Sequence, residues 1–316
     1  MSTNVSHIYR QCIVYSKRMK GATNMEVRVN NKVSDCENLT KERAEINFTA
    51  EEIREILRRP EYATVPPTDR TKLTPEQSRN VGRYEKINSF GAEVADLFED
   101  LCEELHRIPT QKEFCDRGLE LTENWWITET LKKNPMIRGL QFDATIQQAV
   151  RDRQGRSYLS IVNEMYTAAL LKEMYPEARV ITNDILDLVL GVDIVMEYKG
   201  KRLYFHVYKN SYWGRKAFID KENRGGMRNS TGTFVKYHRD FSGDISLVYD
   251  TTETGTTEII NGIPLFTKDY IDWQVSLALK NGAVGETLGS NNNKLEKVNN
   301  WLYKHFDTFV DFYKQN

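Results

Sequence analysis

The sequence predicts a fold of the α+β or α/β class, a mixed sheet flanked by helices and preceded by a mainly helical N-terminal region. Three stretches carry that expectation. Residues 74–140 read as mostly helical. Residues 158–175 place apolar side chains at 158, 161, 162, 165, 168, 169 and 171, a wide helical stripe that Pro176 stops. Beyond Arg179, short β-branched runs between Gly- and Asn-bearing turns read as strands. At 316 residues the chain has room for about two domains. The expected division is a segment at 1–65, a helical domain at 66–150 and the sheet domain with its C-terminal helices at 151–316.

In the first segment, Met25–Val33 alternates around Asn30-Asn31 as a small hairpin would, and Thr49 with Glu52 has capping-box spacing ahead of a short helix. Val65-Pro66-Pro67-Thr68-Asp69 reads as a linker. Thr74-Pro75 starts a helix, and apolar residues at 94, 97, 98, 101 and 105 mark the next. Thr110 then caps a short helix that Gly118 is expected to end, before a new start near Thr122. That outline is a helix-turn-helix, whose second helix would offer Lys132 and Lys133 beside Glu123 and Glu129. It is equally the outline of a three-helix bundle, with Phe114, Trp125, Trp126 and Leu131 as plain core.

Further on, Arg179–Thr182 and Asp244–Asp250 read as strands, and Thr256–Leu265 as a hairpin turning at Asn261-Gly262. Phe234–Phe241 reads as helical, and Gly285–Asn293 as a loop. Residues 269–280 and 294–315 read as helices, the latter with Trp301, Leu302, Phe306, Phe309 and Phe312 as its apolar set.

The stretch that bears on function is Val189–Ser211. Val189–Tyr198 is β-branched and apolar, Lys199-Gly200-Lys201 is the turn, and Leu203–Tyr208 returns. Asp193 interrupts the first strand and Lys209 ends the second. Burying a charge alone costs several kcal/mol or more, so charges inside apolar runs are paired, metal-bound or functional. An acid on one strand and a lysine on its neighbour suggest a divalent metal and an anionic substrate. A plain salt bridge between Asp193 and Lys209 in an interaction protein is the bland alternative.

On these residues the chain resembles the PD-(D/E)XK nuclease superfamily, in which a helix with a Glu precedes a strand ending in Asp and a strand with acid-x-Lys. The resemblance implies a restriction-endonuclease-like fold over residues 156–250 and a Mg²⁺-dependent DNA endonuclease, with Mn²⁺ as an alternative ion. It assigns Asp193 to the metal, Lys209 to the attacking water and Glu164 to the helix carboxylate. The acid two residues before the lysine is absent, because Val207 stands there. Strand alternation sets Phe205, Val207 and Lys209 on one face and His206 and Tyr208 on the other, so His206 does not replace it and is only an auxiliary candidate. Glu197 is the candidate for a migrated third ligand. Val207 also leaves open a nuclease fold without cleavage, a module that binds DNA or another protein.

Charge distribution points the same way. The net charge of −1 names no partner. Between Lys199 and Arg239, however, 11 Lys/Arg stand against two acids, a local excess suited to a phosphate backbone. Lys216, Arg224, Arg228, Lys236 and Arg239 are the expected nucleic-acid contacts, with Tyr212 and Trp213 interleaved to stack on bases or sugars. The expected partners are DNA and a second copy of the chain, with no membrane. The four cysteines form no CxxC pair, which fits reduced thiols and a cytoplasmic protein. No Walker loop, GxSxG elbow or zinc pattern occurs, which removes the commonest competing enzymes.

Overall fold

A computed structural model describes residues 48–87, 93–182, 192–211, 244–252 and 255–281, together with Gly214, Phe218, Glu286 and Thr287. These residues form a mixed α and β fold of six helices, a main sheet and a separate hairpin. They divide into two compact units. A helical unit takes Phe48–Leu170 and Tyr249–Lys268, and a sheet unit takes Leu171–Val248 and the chain from Asp269 onward.

The helical unit begins with α1 (Ala50–Leu57), started by the expected capping box of Thr49 and Glu52. A second capping box, Thr74 with Gln77, starts α2 (Pro75–Glu85), and α3 spans Glu93–Leu105. The Pro66-Pro67 stretch does not separate domains. The Val65 N–H donates to Gln111 Oε1 at 2.6 Å and the Thr68 N–H to Asp152 at 3.2 Å, so this stretch is tied into the unit.

The turn expected at Gly118 does not form. Helix α4 runs unbroken over Gln111–Leu131, so the helix-turn-helix outline is lost there. The reason lies in helix packing. A Cβ at Gly118 would come within 2.9 Å of the Gln154 side chain, and one at Gly155 within 3.0 Å of Gln111. The two glycines let α4 lie close against α5 (Ala144–Met174) instead of ending a helix. Helix α4 stops at Lys133, which takes φ 55°, with Asn134 N–H returning to the Glu129 carbonyl and Lys133 N–H to that of Thr130, a Schellman motif.

Helix α5 begins at Ala144 rather than near Tyr158, with the Asp143 carboxylate accepting the N–H groups of Thr145 and Ile146 at 3.0 Å. Its early turns bury Ile146, Ala149 and Val150 against Val81, Tyr84, Ile87, Trp126, Ile137 and Leu140. Phe98, Phe114 and Tyr158 make a second core, with ring centroids 5.8–6.0 Å apart. The unit is completed by the hairpin β5 (Thr257–Ile260) and β6 (Ile263–Phe266). Its Asn261-Gly262 turn has φ 50° and 83°, as the sequence predicts. The Asn261 amide also donates to the carbonyls of Leu57 and Arg59 at the end of α1.

In the sheet unit, strands β1 (Arg179–Ile181), β2 (Ile194–Tyr198), β3 (Lys201–Lys209) and β4 (Ile245–Tyr249) lie in that order. The pairs β1–β2 and β2–β3 are antiparallel, with Ile194 opposite Phe205 and Tyr198 opposite Lys201. The β2–β3 turn has two residues, Lys199 at φ 48° and Gly200 at 72°, the type I′ geometry that matches the strand twist. Leu203–Val207 is buried on both faces, which marks β3 as a central strand. Helix α6 (Lys268–Asn281) buries Ile271, Val275 and Ala278. Within the expected loop at 285–293, Glu286–Thr287 forms a short strand, β7, paired with Arg202 and Lys201. The expected elements at Met25–Val33, Phe234–Phe241 and 294–315 lie outside the described residues.

Candidate functional site

The end of β3 collects the polar groups of the sheet unit. The register that sets Ile194 opposite Phe205 would face Asp193 with His206. Asp193 instead grips the peptide groups on either side of His206. Its N–H donates to the Phe205 carbonyl at 3.0 Å, and its Oδ2 accepts the Val207 N–H at 2.6 Å. A carboxylate in an apolar run is thereby satisfied by a backbone donor, a charge-assisted bond stronger than a neutral one. The same bond holds the carboxylate against β3 two residues before Lys209.

On the other side of β3, Asp244 lies directly before β4, and its Oδ2 is 2.6 Å from His206 Nε2. Both side chains are buried, at 1% exposure for His206 and 4% for Asp244. Asp244 is the site residue that the sequence reading passed over. Its signal was present in the letters: like Asp193, it is an acid placed immediately ahead of an apolar strand.

Phe218 lies over the same face. Its ring stacks on Tyr208 at 4.9 Å and meets His206 edge-on at 5.0 Å, so the alternation that sets residues 206 and 208 together holds. Lys209, half-buried, is the last residue of β3. The chain then turns back sharply, with the Ser211 N–H on the Lys209 carbonyl at 2.8 Å and the Gly214 N–H on the Ser211 hydroxyl at 3.0 Å. A Cβ at position 214 would lie 2.2 Å from the Lys209 carbonyl oxygen, which only glycine avoids.

The remaining candidates are placed differently. Glu197 sits at the turn end of β2, about 13 Å along the strand from Asp193 at the usual rise per residue. It is engaged there by two arginines, Arg202 through Nε at 2.8 Å and through Nη2, and Arg179 at 3.5 Å. Glu164 is half-buried on α5 and belongs to the helical unit. One turn before it, Ser160 shares a 2.7 Å hydrogen bond with the Tyr249 hydroxyl. Burial, reinforced by the Glu164 charge, pushes that phenol up to about 12. Lys216, Arg224, Arg228, Lys236 and Arg239 lie outside the described residues. Of the expected site residues, Asp193 and His206 therefore meet at the end of β3, Lys209 follows two residues after Val207 on the same strand, and Asp244 is added.

Among the described residues, no three His, Cys, Asp or Glu side chains form a ready metal-binding group. A magnesium site needs fewer, one or two carboxylates completed by water and substrate oxygens. Asp193 fits that lesser requirement. The described cysteines do not offer an alternative chemistry, since burial pushes the thiols of Cys102 and Cys115 up to about 12 and leaves them protonated at neutral pH. No described helix is long and apolar enough to cross a membrane. Comparison with known protein families, with curated proteins and with solved structures returns no match.

Proposed function

We propose that the chain is a metal-dependent DNA endonuclease whose reaction centre lies at the end of β3. The supporting observation is the bond from the Val207 N–H to Asp193 Oδ2, which sets a carboxylate beside the strand that Lys209 ends. A bound Mg²⁺ or Mn²⁺ would lower the pKa of its water and polarise a phosphate oxygen. Asp193 would hold that ion, fixed by its backbone bond. Lys209 would offset charge developing on the phosphate, a contribution worth about 10²–10³-fold in rate for a single well-placed group. The bond between His206 and Asp244 would brace the strand from behind, because both are too buried to reach substrate. The basic residues of 216–239 would hold the DNA backbone.

A second reading keeps the DNA and drops the cleavage. Two observations favour it: Val207 is a buried apolar residue where an acid is expected, and Glu197 is occupied by Arg179 and Arg202. Incubation of supercoiled plasmid with the protein and Mg²⁺ or Mn²⁺ separates the two. Cleavage that Asp193→Ala and Lys209→Ala abolish supports the nuclease. Cleavage that survives Asp193→Ala removes the β3 end as its source. Salt-dependent DNA retention without cleavage leaves the binding module. In either case, replacing Lys216, Arg224, Arg228, Lys236 and Arg239 with Ala should flatten the salt dependence, by about one unit of slope per lost phosphate contact.

A further inference from the structure

Helix α6 is apolar on two sides. Ile271, Val275 and Ala278, at 0%, 0% and 3% exposure, form its inner stripe. Tyr270, Trp273 and Leu277 recur at i, i+3, i+7, also a helical spacing, and at 100° per residue their stripe is roughly 130° away from the first. Trp273 is 57% exposed and Leu277 39%. The Tyr270 and Trp273 rings stack at 6.3 Å, and the Gln274 amide donates to the Tyr270 hydroxyl at 3.1 Å, so the outer stripe is itself ordered. A surface helix with one covered face has a polar back, whereas a helix apolar on both sides is covered on both.

We propose that this outer stripe is the docking surface for the chain's own residues 294–315. Three arguments select that occupant. The segment carries Leu302, Phe306, Phe309 and Phe312 at helical spacing, with Trp301 beside them, an apolar stripe that itself needs a cover. The chain also returns to the correct place. Thr287 pairs with Lys201, and Lys201 Nζ donates to the Leu279 carbonyl at 2.8 Å, two residues beyond Leu277. From Thr287 to Lys294 the chain spans at most about 24 Å, against a stripe only about 6 Å long between Trp273 and Leu277. Finally, the patch is small. Three partly exposed side chains offer on the order of 300 Å², well below the roughly 800 Å² per partner of a stable interface between separate molecules. A tethered segment needs less area, because linkage raises its effective concentration to about millimolar. A second copy of the chain has no such advantage.

The test is hydrogen exchange on the full chain, comparing the native protein with Trp273→Asp/Leu277→Asp. Both side chains are exposed, so the inner amides of α6 stay protected and report that the fold is intact. The docked segment predicts that amides at 298–312 exchange at least about tenfold slower than an unstructured chain in the native protein and lose that protection in the variant. Phe306→Asp/Phe309→Asp should in turn raise the hydroxyl-radical labelling of Trp273. Native amides at 298–312 that exchange at the unstructured rate would overturn the proposal, as would protection that survives the double substitution. It also fails if Trp273→Asp/Leu277→Asp abolishes a concentration-dependent dimer while 298–312 is unchanged, since the stripe would then bind a second copy.

Discussion

The two units use their polar side chains differently. In the helical unit they serve helix ends and helix contacts. Thr110 and Glu113 close a capping box at the start of α4, Arg107 pairs with Glu113 at 2.9 Å, and Tyr62 and Tyr158 donate to the carbonyls of Ile108 and Pro109 in the same corner. Each has a reason in the local backbone. In the sheet unit Asp193, His206 and Asp244 instead gather around the last residues of one strand. Asp193 holds the Val207 N–H, and Asp244 reaches His206 from the start of β4, so three polar side chains converge on one strand end, and that convergence makes the β3 end the candidate site.

That contrast can be broken by experiment, and the largest effect is expected at Asp244. Asp244→Ala leaves His206 buried without its carboxylate and should cost about 3 kcal/mol, read as a fall in the denaturant midpoint. A change under about 0.5 kcal/mol would mean that the pair contributes little to folding. Asp193→Asn comes next, and it separates fold from chemistry. Its amide oxygen can still accept the Val207 N–H, so stability should fall by about 1 kcal/mol or less, while the metal-dependent cleavage proposed above should disappear. Equal retention of both would return Asp193 to a purely structural role.

In the helical unit, Thr110→Ala removes a cap and should cost about 1 kcal/mol. Its partner Glu113 supplies a pH signature. The Arg107 guanidinium holds the Glu113 carboxyl down at about 2, and the bonds from Thr110 add to this. A depressed acid stabilises fully above its unfolded value near 4.3 and loses that contribution as pH falls toward 2. Glu113 is more than a third exposed, so solvent screening limits the effect to a few tenths of a kcal/mol. Glu113→Gln should therefore flatten the acid limb between about pH 4.5 and 2 slightly and leave neutral stability nearly unchanged. The smallest effect is a gain. Lys199 holds φ 48° in a type I′ turn, and Lys199→Asn should stabilise the β2–β3 hairpin by about 0.5 kcal/mol, measurable as a rise in midpoint.

The letters were most informative where a local interaction decides the conformation. Thr49, Thr74 and Thr110 cap as their spacing predicts, and Asn261-Gly262 and Lys199-Gly200 turn where they should. They misled where glycine had a second use. Gly118 has the same letter as Gly200, yet it serves the close approach of Gln154 rather than a left-handed turn, and nothing short of the partner helix distinguishes the two. The early half of α5 was missed because Arg153, Gln154 and Gly155 interrupt its stripe, and the Gln and Gly face α4 rather than a greasy core. At the site, Asp193 and Lys209 were legible as charges in apolar runs. Asp244 was legible in the same way, as an acid ahead of an apolar strand, but its partner was not, because it meets His206 only through a neighbouring strand 38 residues away in sequence.

Helix α5 has a practical corollary. It starts in one unit and ends in the other, changing membership between Leu170 and Leu171, and the chain changes again after Val248 and after Lys268. Neither unit is one continuous length of chain, so no single truncation yields either one. Cutting at the sequence boundary of 150 would sever α5 and strip Ile146, Ala149 and Val150 from the turns that follow. For anyone seeking the β3 end in isolation, a circular permutation or an internal deletion that rejoins 248 to 269 is the rational starting point, and a library of N-terminal truncations is not.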